Sequence, residues 1–163
     1  MAKKKKNTSE KRDTQPVSIR NKKARFDYEI LEKLEAGMVL TGTEVKSLRQ
    51  GRASLEEAYA RVIGEELFLV GCTIQEYAHG NIHNHAPTRT RKLLVHRREI
   101  KKLLGRMTQK GLTLVPVRIY FIRGLAKVEI ALARGKAQVD KRDAIKRRQM
   151  DRDADREVRR MGR

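Results

Sequence analysis

A chain of 163 residues with a formal net charge of +19, 36% charged residues and 4% aromatic residues has room for one ordinary domain plus extensions. Charge of that size repels itself unless a polyanion supplies the counter-charge, so nucleic acid leads among candidate partners. No apolar run reaches about 18 residues, no basic leader precedes an apolar stretch, and the lone Cys72 rules out an intrachain disulfide framework, so a cytoplasmic protein without membrane contact is expected.

The charge is uneven along the chain. Residues 1–25 carry ten Lys/Arg against two acids, residues 26–135 eighteen against twelve, and residues 136–163 eleven against six, so two basic arms flank a milder body. Residues 1–25 hold four consecutive lysines and, after Met1, only Val17 and Ile19 as large apolar residues. Such a segment cannot build a core; residues 1–20 read as a disordered arm, with 21–25, NKKAR, held close to the body. The pattern over 26–35 fits strand and helix equally, and Gly37 tips it toward two strands, roughly 28–34 and 38–41, joined as a hairpin at Ala36-Gly37.

Residues 40–52, LTGTEVKSLRQGR, run from an apolar strand through a glycine into a short charged helix that ends at a second glycine. Thr43 is placed to cap this helix and Gly51 to end it in the left-handed conformation. Val45 and Leu48, three apart, face a barrel wall, which sends Glu44, Lys46, Arg49 and Arg52 toward solvent. Residues 58–63 and 66–72 read as a hairpin around Gly64-Glu65, followed by a short strand at 73–77, and 79–87, HGNIHNHAP, as a loop.

Residues 89–110 set nine Lys/Arg against the single acid Glu99. Residues 93–95 suit a short strand, and Ile100, Leu103, Leu104 and Met107 follow the helical i, i+3, i+4, i+7 rule from Arg97 on, with Gly111 closing the helix. Residues 113–122 and 126–133 form a third hairpin turning at Arg123-Gly124, and Pro116 demands an edge or a bulge. After Gly135 the regime changes. Residues 136–161 contain neither Gly nor Pro, and their large apolar residues, Val139, Ile145, Met150, Val158 and Met161, make no continuous stripe. Good propensity without a burial face describes a tail that is disordered alone and helical on a partner.

The expected architecture is therefore mainly β, a partly open oligonucleotide-binding barrel with two or three added helices and basic disordered tails: an arm at 1–20, a body at 21–135 and a tail at 136–163. GTEVKSLRQGRASL at 42–55, PTRTRKLL at 87–94 and GKxxxDKR at 135–142, in that order and spacing, resemble the small protein B (SsrA-binding protein) family. The resemblance runs from about Asn21 to Met150.

That resemblance implies binding to the tRNA-like domain of transfer-messenger RNA and its delivery to the A site of stalled ribosomes for trans-translation. The tail would occupy the empty message channel as a helix, against small-subunit ribosomal RNA. Asn21, Glu35, and Leu93 or Leu94 stand where the family places contacts or supports for the RNA. Arg25, Lys46, Arg89, Arg91 and Lys92 can neutralise phosphates, whereas Asn21 and Glu35 can bond base edges or sugars. In the tail the resemblance marks Lys136, Val139, Asp140, Lys141, Arg142, Ile145, Lys146, Arg147, Arg148 and Met150. Val139 departs from the family pattern, because many members carry a histidine there and a valine has no π face to stack.

His79, His83 and His85 lie within seven residues but without Cys or acid ligands beside them, so no metal or cofactor is expected. Cys72 reads as core packing rather than a nucleophile. No phosphate-cradling glycine loop or serine elbow nominates a catalytic centre, and the chain reads as a monomeric binder of RNA rather than DNA. A general single-strand or ribosomal RNA-binding protein is the alternative, but it would want exposed aromatics, and the chain has no Trp. A nuclease using His83, His85 and Lys92 is the enzyme alternative.

Overall fold

Alternating apolar residues build most of this molecule, a computed structural model that describes residues 17–108 and 111–137 and, beyond them, the helical positions 142, 145, 146, 149, 150, 152 and 156. In chain order the elements are β1 (Ser18–Arg20), α1 (Lys22–Asp27), β2 (Tyr28–Met38), α2 (Gly42–Arg49), β3 (Ala53–Ser54), β4 (Tyr59–Ile63) and β5 (Glu66–Val70). There follow β6 (Thr73–Ile74), a 3-10 turn at Asn81–His83, β7 (Arg91–Leu94), α3 (Arg97–Met107), β8 (Leu112–Ile122) and β9 (Leu125–Gly135).

The main sheet closes on itself. β8 pairs with β9 along its whole length, β9 with β2, β2 with β7, β7 with β5, β5 with β4, and β4 returns to β8. Two seams are thin: β4 meets β8 only at Ala60↔Leu114, and β2 meets β7 only at Gly37↔Leu94 and Met38↔Leu93. The fold is thus mainly β, a partly open barrel, as the sequence implied. β1 lies against the outer half of β8, so the sheet takes in Ser18–Arg20, residues that composition had assigned to the N-terminal arm. β3 and β6 form a separate ribbon.

Two local readings are corrected. β2 is one strand of 11 residues rather than a hairpin turning at Ala36-Gly37, and it bulges between Ile30 and Glu32. Gly37 is there for close approach, since a Cβ at that position would stand 3.3 Å from the Cβ of Leu94 on β7. The cap of α2 is Thr41 rather than Thr43: the Thr41 N–H donates to Glu44 Oε2 at 2.8 Å. Gly51, at φ +72°, ends that helix as expected. Pro116 sits at a bulge in β8, where the register with β9 shifts between Pro116 and Arg118.

The core fills the barrel with Leu48, Leu55, Leu67, Leu69, Ile74, Leu114 and Val128, none of them more than 1% exposed. Leu48 reaches it from α2, and burying such a side chain contributes about 1.5–3 kcal/mol. Cys72 lies in the same core, and burial pushes its thiol up to about 11, so it packs and does not react. α3 lays Ile100 and Leu103 on the barrel and is tied to β2 by Lys102 and Arg106, both paired with Glu32.

The largest departure is Glu44, expected in solvent and found fully buried. Its Oε1 accepts from Arg89 Nε at 2.8 Å and from Arg91 Nε at 2.9 Å, and its Oε2 from Arg89 Nη2 at 2.5 Å. Arg91, itself fully buried, also donates to the carbonyls of Cys72, Arg89 and Pro87. Burial alone would raise the Glu44 carboxyl, but the Arg89 and Thr41 hydrogen bonds and the charge of Arg91 outweigh it and hold the group below its ordinary value of 4.5. A depressed folded-state value gives stability that is present above pH 4.5 and lost as pH falls through the lower folded value. Glu44→Gln therefore costs about 3–5 kcal/mol at neutral pH, because two arginines lose their counter-charge. Denaturant unfolding checks this, and the variant's stability should also fall less steeply with acid than that of the unsubstituted chain.

Candidate nucleic-acid interface

Period-two alternation on β2, β9 and β8 turns Leu34, Ala36, Val128, Ile130 and Ile119 inward and leaves Lys33, Glu35, Lys127, Glu129, Arg118 and Tyr120 outward. Register then sets these outward residues in rows. One row runs Leu94, Gly37, Lys127, Tyr120, Ser18 across β7, β2, β9, β8 and β1. The next runs Glu35, Glu129, Arg118, Arg20 across the last four of those strands.

Within the second row like charges stand directly opposite one another: Glu35 faces Glu129, and Arg118 faces Arg20. Such pairs repel unless bridged. Glu129 is bridged by Lys33 at 2.7 Å and Arg118 at 2.8 Å. Burial would raise its carboxyl, but these two cations hold it below the usual range. Glu35 accepts from the Tyr120 hydroxyl at Oε2 and pairs with Lys127 at 3.2 Å through Oε1. The Tyr120 bond, with Lys127 behind it, lowers the Glu35 carboxyl, while burial and the Glu35 charge push Tyr120 up to about 12. The Arg118 guanidinium lies 4.7 Å from the centre of the Tyr120 ring.

At the β1 edge this face opens into a cleft of about 490 Å³ lined by Arg20, Asn21, Lys22, Arg25, Lys33, Val117, Arg118 and Glu129. Five cations against one carboxylate give the cleft a strongly positive lining, of the sign a polyanion would complement. Arg20, Lys22 and Arg25 are exposed and make no ion pair among the described residues. α1 forms one wall, and Asn21 fixes it. Its Oδ1 accepts from the Ala24 N–H at 3.0 Å, its amide donates to Leu55 O and Pro116 O, and its backbone N–H donates to Val117 O.

The sequence-predicted residues divide accordingly. Arg25, Glu35 and Leu94 lie on or beside the face, and Leu94, 55% exposed, lies over Gly37. Asn21 is a support rather than an exposed base reader, being 3% exposed with both amide hydrogens committed to carbonyls. Leu93 points inward at 2% exposure. Lys46 stands apart on α2, its ammonium 5.2 Å from the centre of the Tyr77 ring. Arg91 is a correction: wholly buried on Glu44, it cannot meet a phosphate, and Arg89 is turned to the same carboxylate. Lys92 is exposed and paired with Glu66. His85, which with His83 and Lys92 made a conceivable nuclease set, is buried, with its ring nitrogens against Thr43 Oγ1 and Ile74 O.

Of the tail residues, Lys136 is stitched to α1: its N–H donates to Asp27 O at 2.9 Å and its Nζ to Arg25 O at 3.1 Å. Arg142, Ile145, Lys146 and Met150 are helical and exposed, while Val139, Asp140, Lys141, Arg147 and Arg148 lie outside the described residues. Sequence reasoning missed Lys33, Arg118, Tyr120, Lys127 and Glu129. Alternation could have put each on an outer face, but only the register sets them side by side.

A family model described as SmpB protein matches residues 18–160. The SsrA-binding protein of Syntrophobacter fumaroxidans is 53% identical over 156 residues, covering 96% of this chain and 95% of that protein. That of Limosilactobacillus fermentum is 54% identical over 136 residues, covering 83% and 87%. A solved chain from a structure described as "tmRNA-SmpB: a journey to the center of the bacterial ribosome" matches with a TM-score of 0.65 and 49% identity, over 79% of this chain and 94% of that one.

The two kinds of cation separate experimentally. Replacing Arg20 and Lys22 together by Ala should flatten the log-log salt dependence of RNA binding by about 0.7–0.9 for each phosphate left without its cation, with the melting temperature unchanged. Arg91→Ala should instead cost about 3–5 kcal/mol of stability. Salt titrations and thermal melts of the two proteins, side by side, check both statements.

Proposed function

The chain belongs to the SmpB family of SsrA-binding proteins, and from that membership we propose that its work is to bind transfer-messenger RNA and deliver it to stalled ribosomes for trans-translation. The barrel grips the tRNA-like domain with the outer face of β8, β9 and β2. The observation that carries this reading is that Glu35 and Leu94, far apart in sequence and marked by the family resemblance, share one outward face, at whose β1 edge five cations line a cleft walled by the helix that the buried Asn21 holds. Phosphates meet Arg20, Lys22 and Arg25, which position the RNA without reading it. Glu35 and Leu94 supply an acceptor and an apolar contact for an unstacked nucleotide.

The protein is an RNA-binding factor, and the role assigned here needs no chemical step, since binding and placement suffice. It needs the cytoplasm, where ribosomes are; no helix among the described residues is long and apolar enough to cross a membrane. The tail from Lys136 on enters the empty message channel. There Lys141, Arg142, Lys146, Arg147 and Arg148 meet ribosomal phosphates, and Ile145 and Met150 add apolar anchors. Fixing about 20 residues as a helix costs on the order of 1 kcal/mol each, which those contacts must offset.

Truncation after Lys136 should separate grip from delivery. Affinity for transfer-messenger RNA, read by titration against bulk tRNA, should stay within several-fold of the full chain. Peptide tagging in a reconstituted translation system, on a message without a stop codon, should disappear. Tagging at the normal rate, or loss of RNA binding, would show this division to be wrong.

A further inference from the structure

Glu35 is exposed, and a free glutamate on a strand wanders among many rotamers, so an acceptor meant to meet one nucleotide has to be held. We propose that Tyr120 is a positioning residue for RNA recognition, its hydroxyl donating to Glu35 Oε2 and aiming that carboxylate at a hydrogen-bond donor of one unstacked nucleotide. The inference rests on the reading of the β8, β9 and β2 face as the RNA-binding face.

Tyr120 stands opposite Lys127, and Lys127 opposite Gly37, two residues beyond Glu35 on β2, so hydroxyl and ammonium reach the two carboxylate oxygens from neighbouring strands. The tyrosine is itself held. Arg118 lies over its ring at 4.7 Å and is anchored to Glu129 at 2.8 Å, whose other oxygen takes Lys33 at 2.7 Å. Each Glu35 oxygen keeps a lone pair after these bonds, and the depressed carboxyl keeps the group an anion, so it can accept from a base N–H or a ribose hydroxyl. With its phenol pushed up to about 12, Tyr120 remains the donor in the pair. The absence of a side chain at Gly37 leaves Leu94 lying beside this acceptor as an apolar wall.

Tyr120→Phe keeps the ring and removes only the donor. The expected result is about three- to tenfold weaker binding of a tRNA-like RNA, from loss of preorganisation. The melting temperature should hold, because exposed polar pairs add little to stability. The salt slope should hold too, since no charge is removed. In a Glu35→Ala background the same substitution should cost nothing further. Wild-type affinity for Tyr120→Phe, or full additivity with Glu35→Ala, overturns the positioning role, the second by making Tyr120 an independent contact. A Glu35→Ala protein that binds normally overturns it as well, by removing Glu35 from the interface. Failure of the underlying functional reading looks different, because the unsubstituted protein would then show no preference for the tRNA-like RNA over bulk tRNA.

Discussion

Everything on the α2 side of the barrel depends on one buried carboxylate. Glu44 takes three arginine donors and the Thr41 N–H, and through them it ties the start of α2 to the chain entering β7. Removing a carboxylate and two guanidiniums from water is unfavourable, and such clusters persist only where every donor and acceptor is satisfied. Here Arg91 gives three of its four remaining donors to the carbonyls of Cys72, Arg89 and Pro87. The PTRTR stretch is therefore pinned by the buried Arg91 and the half-buried Arg89, and an arginine rather than a sheet partner satisfies the carbonyls of an irregular loop.

A second set of clamped charges lies on the outer face of the sheet. On β8, β9 and β2 the charges point outward, and the cross-strand register brings like beside like, Glu35 by Glu129 and Arg118 by Arg20. The exposed Glu35 pairs contribute little to stability. Their value is geometric, because each carboxylate is clamped by groups from two other strands, while Arg20, Lys22 and Arg25 have no ion-pair partner among the described residues. The buried ion cluster lies under α2 and the clamped carboxylates lie on the outer sheet, with no residue shared between them.

The legibility of this molecule follows the range of the forces involved. The β4–β5 and β8–β9 hairpins and the helix α3 were readable, since turn glycines and apolar periodicity act within a few residues. Gly37 misled because a glycine in a strand can serve a turn or a close neighbour, and the neighbour, Leu94, is far away in sequence. Glu44 misled for the same reason: helical spacing put it with the polar residues, and only the fold reveals the arginines waiting for it. Of the interface, Arg25, Glu35 and Leu94 were in hand from the residues and the family resemblance, but Tyr120 and Lys127 needed the register of three strands. Asn21 shows the converse, a polar residue that looked like a reader of bases and whose amide is consumed by Leu55 O and Pro116 O.

The short helix α1 joins these two regions to the tail. Asn21 fastens its first turn to β8 and to Leu55 O, and Lys136, at the start of the tail, fastens its last turn by donating to Arg25 O and Asp27 O. A lysine against helix C-terminal carbonyls is favourable both as a hydrogen bond and against the helix dipole. Lys136 is thus anchored to the same helix that gives Lys22 and Arg25 to the cationic cleft. Loss of the Asn21 bonds to Leu55 O and Pro116 O would therefore shift the Lys22 and Arg25 cations of the cleft and the Lys136 anchor together, because all three are carried by α1.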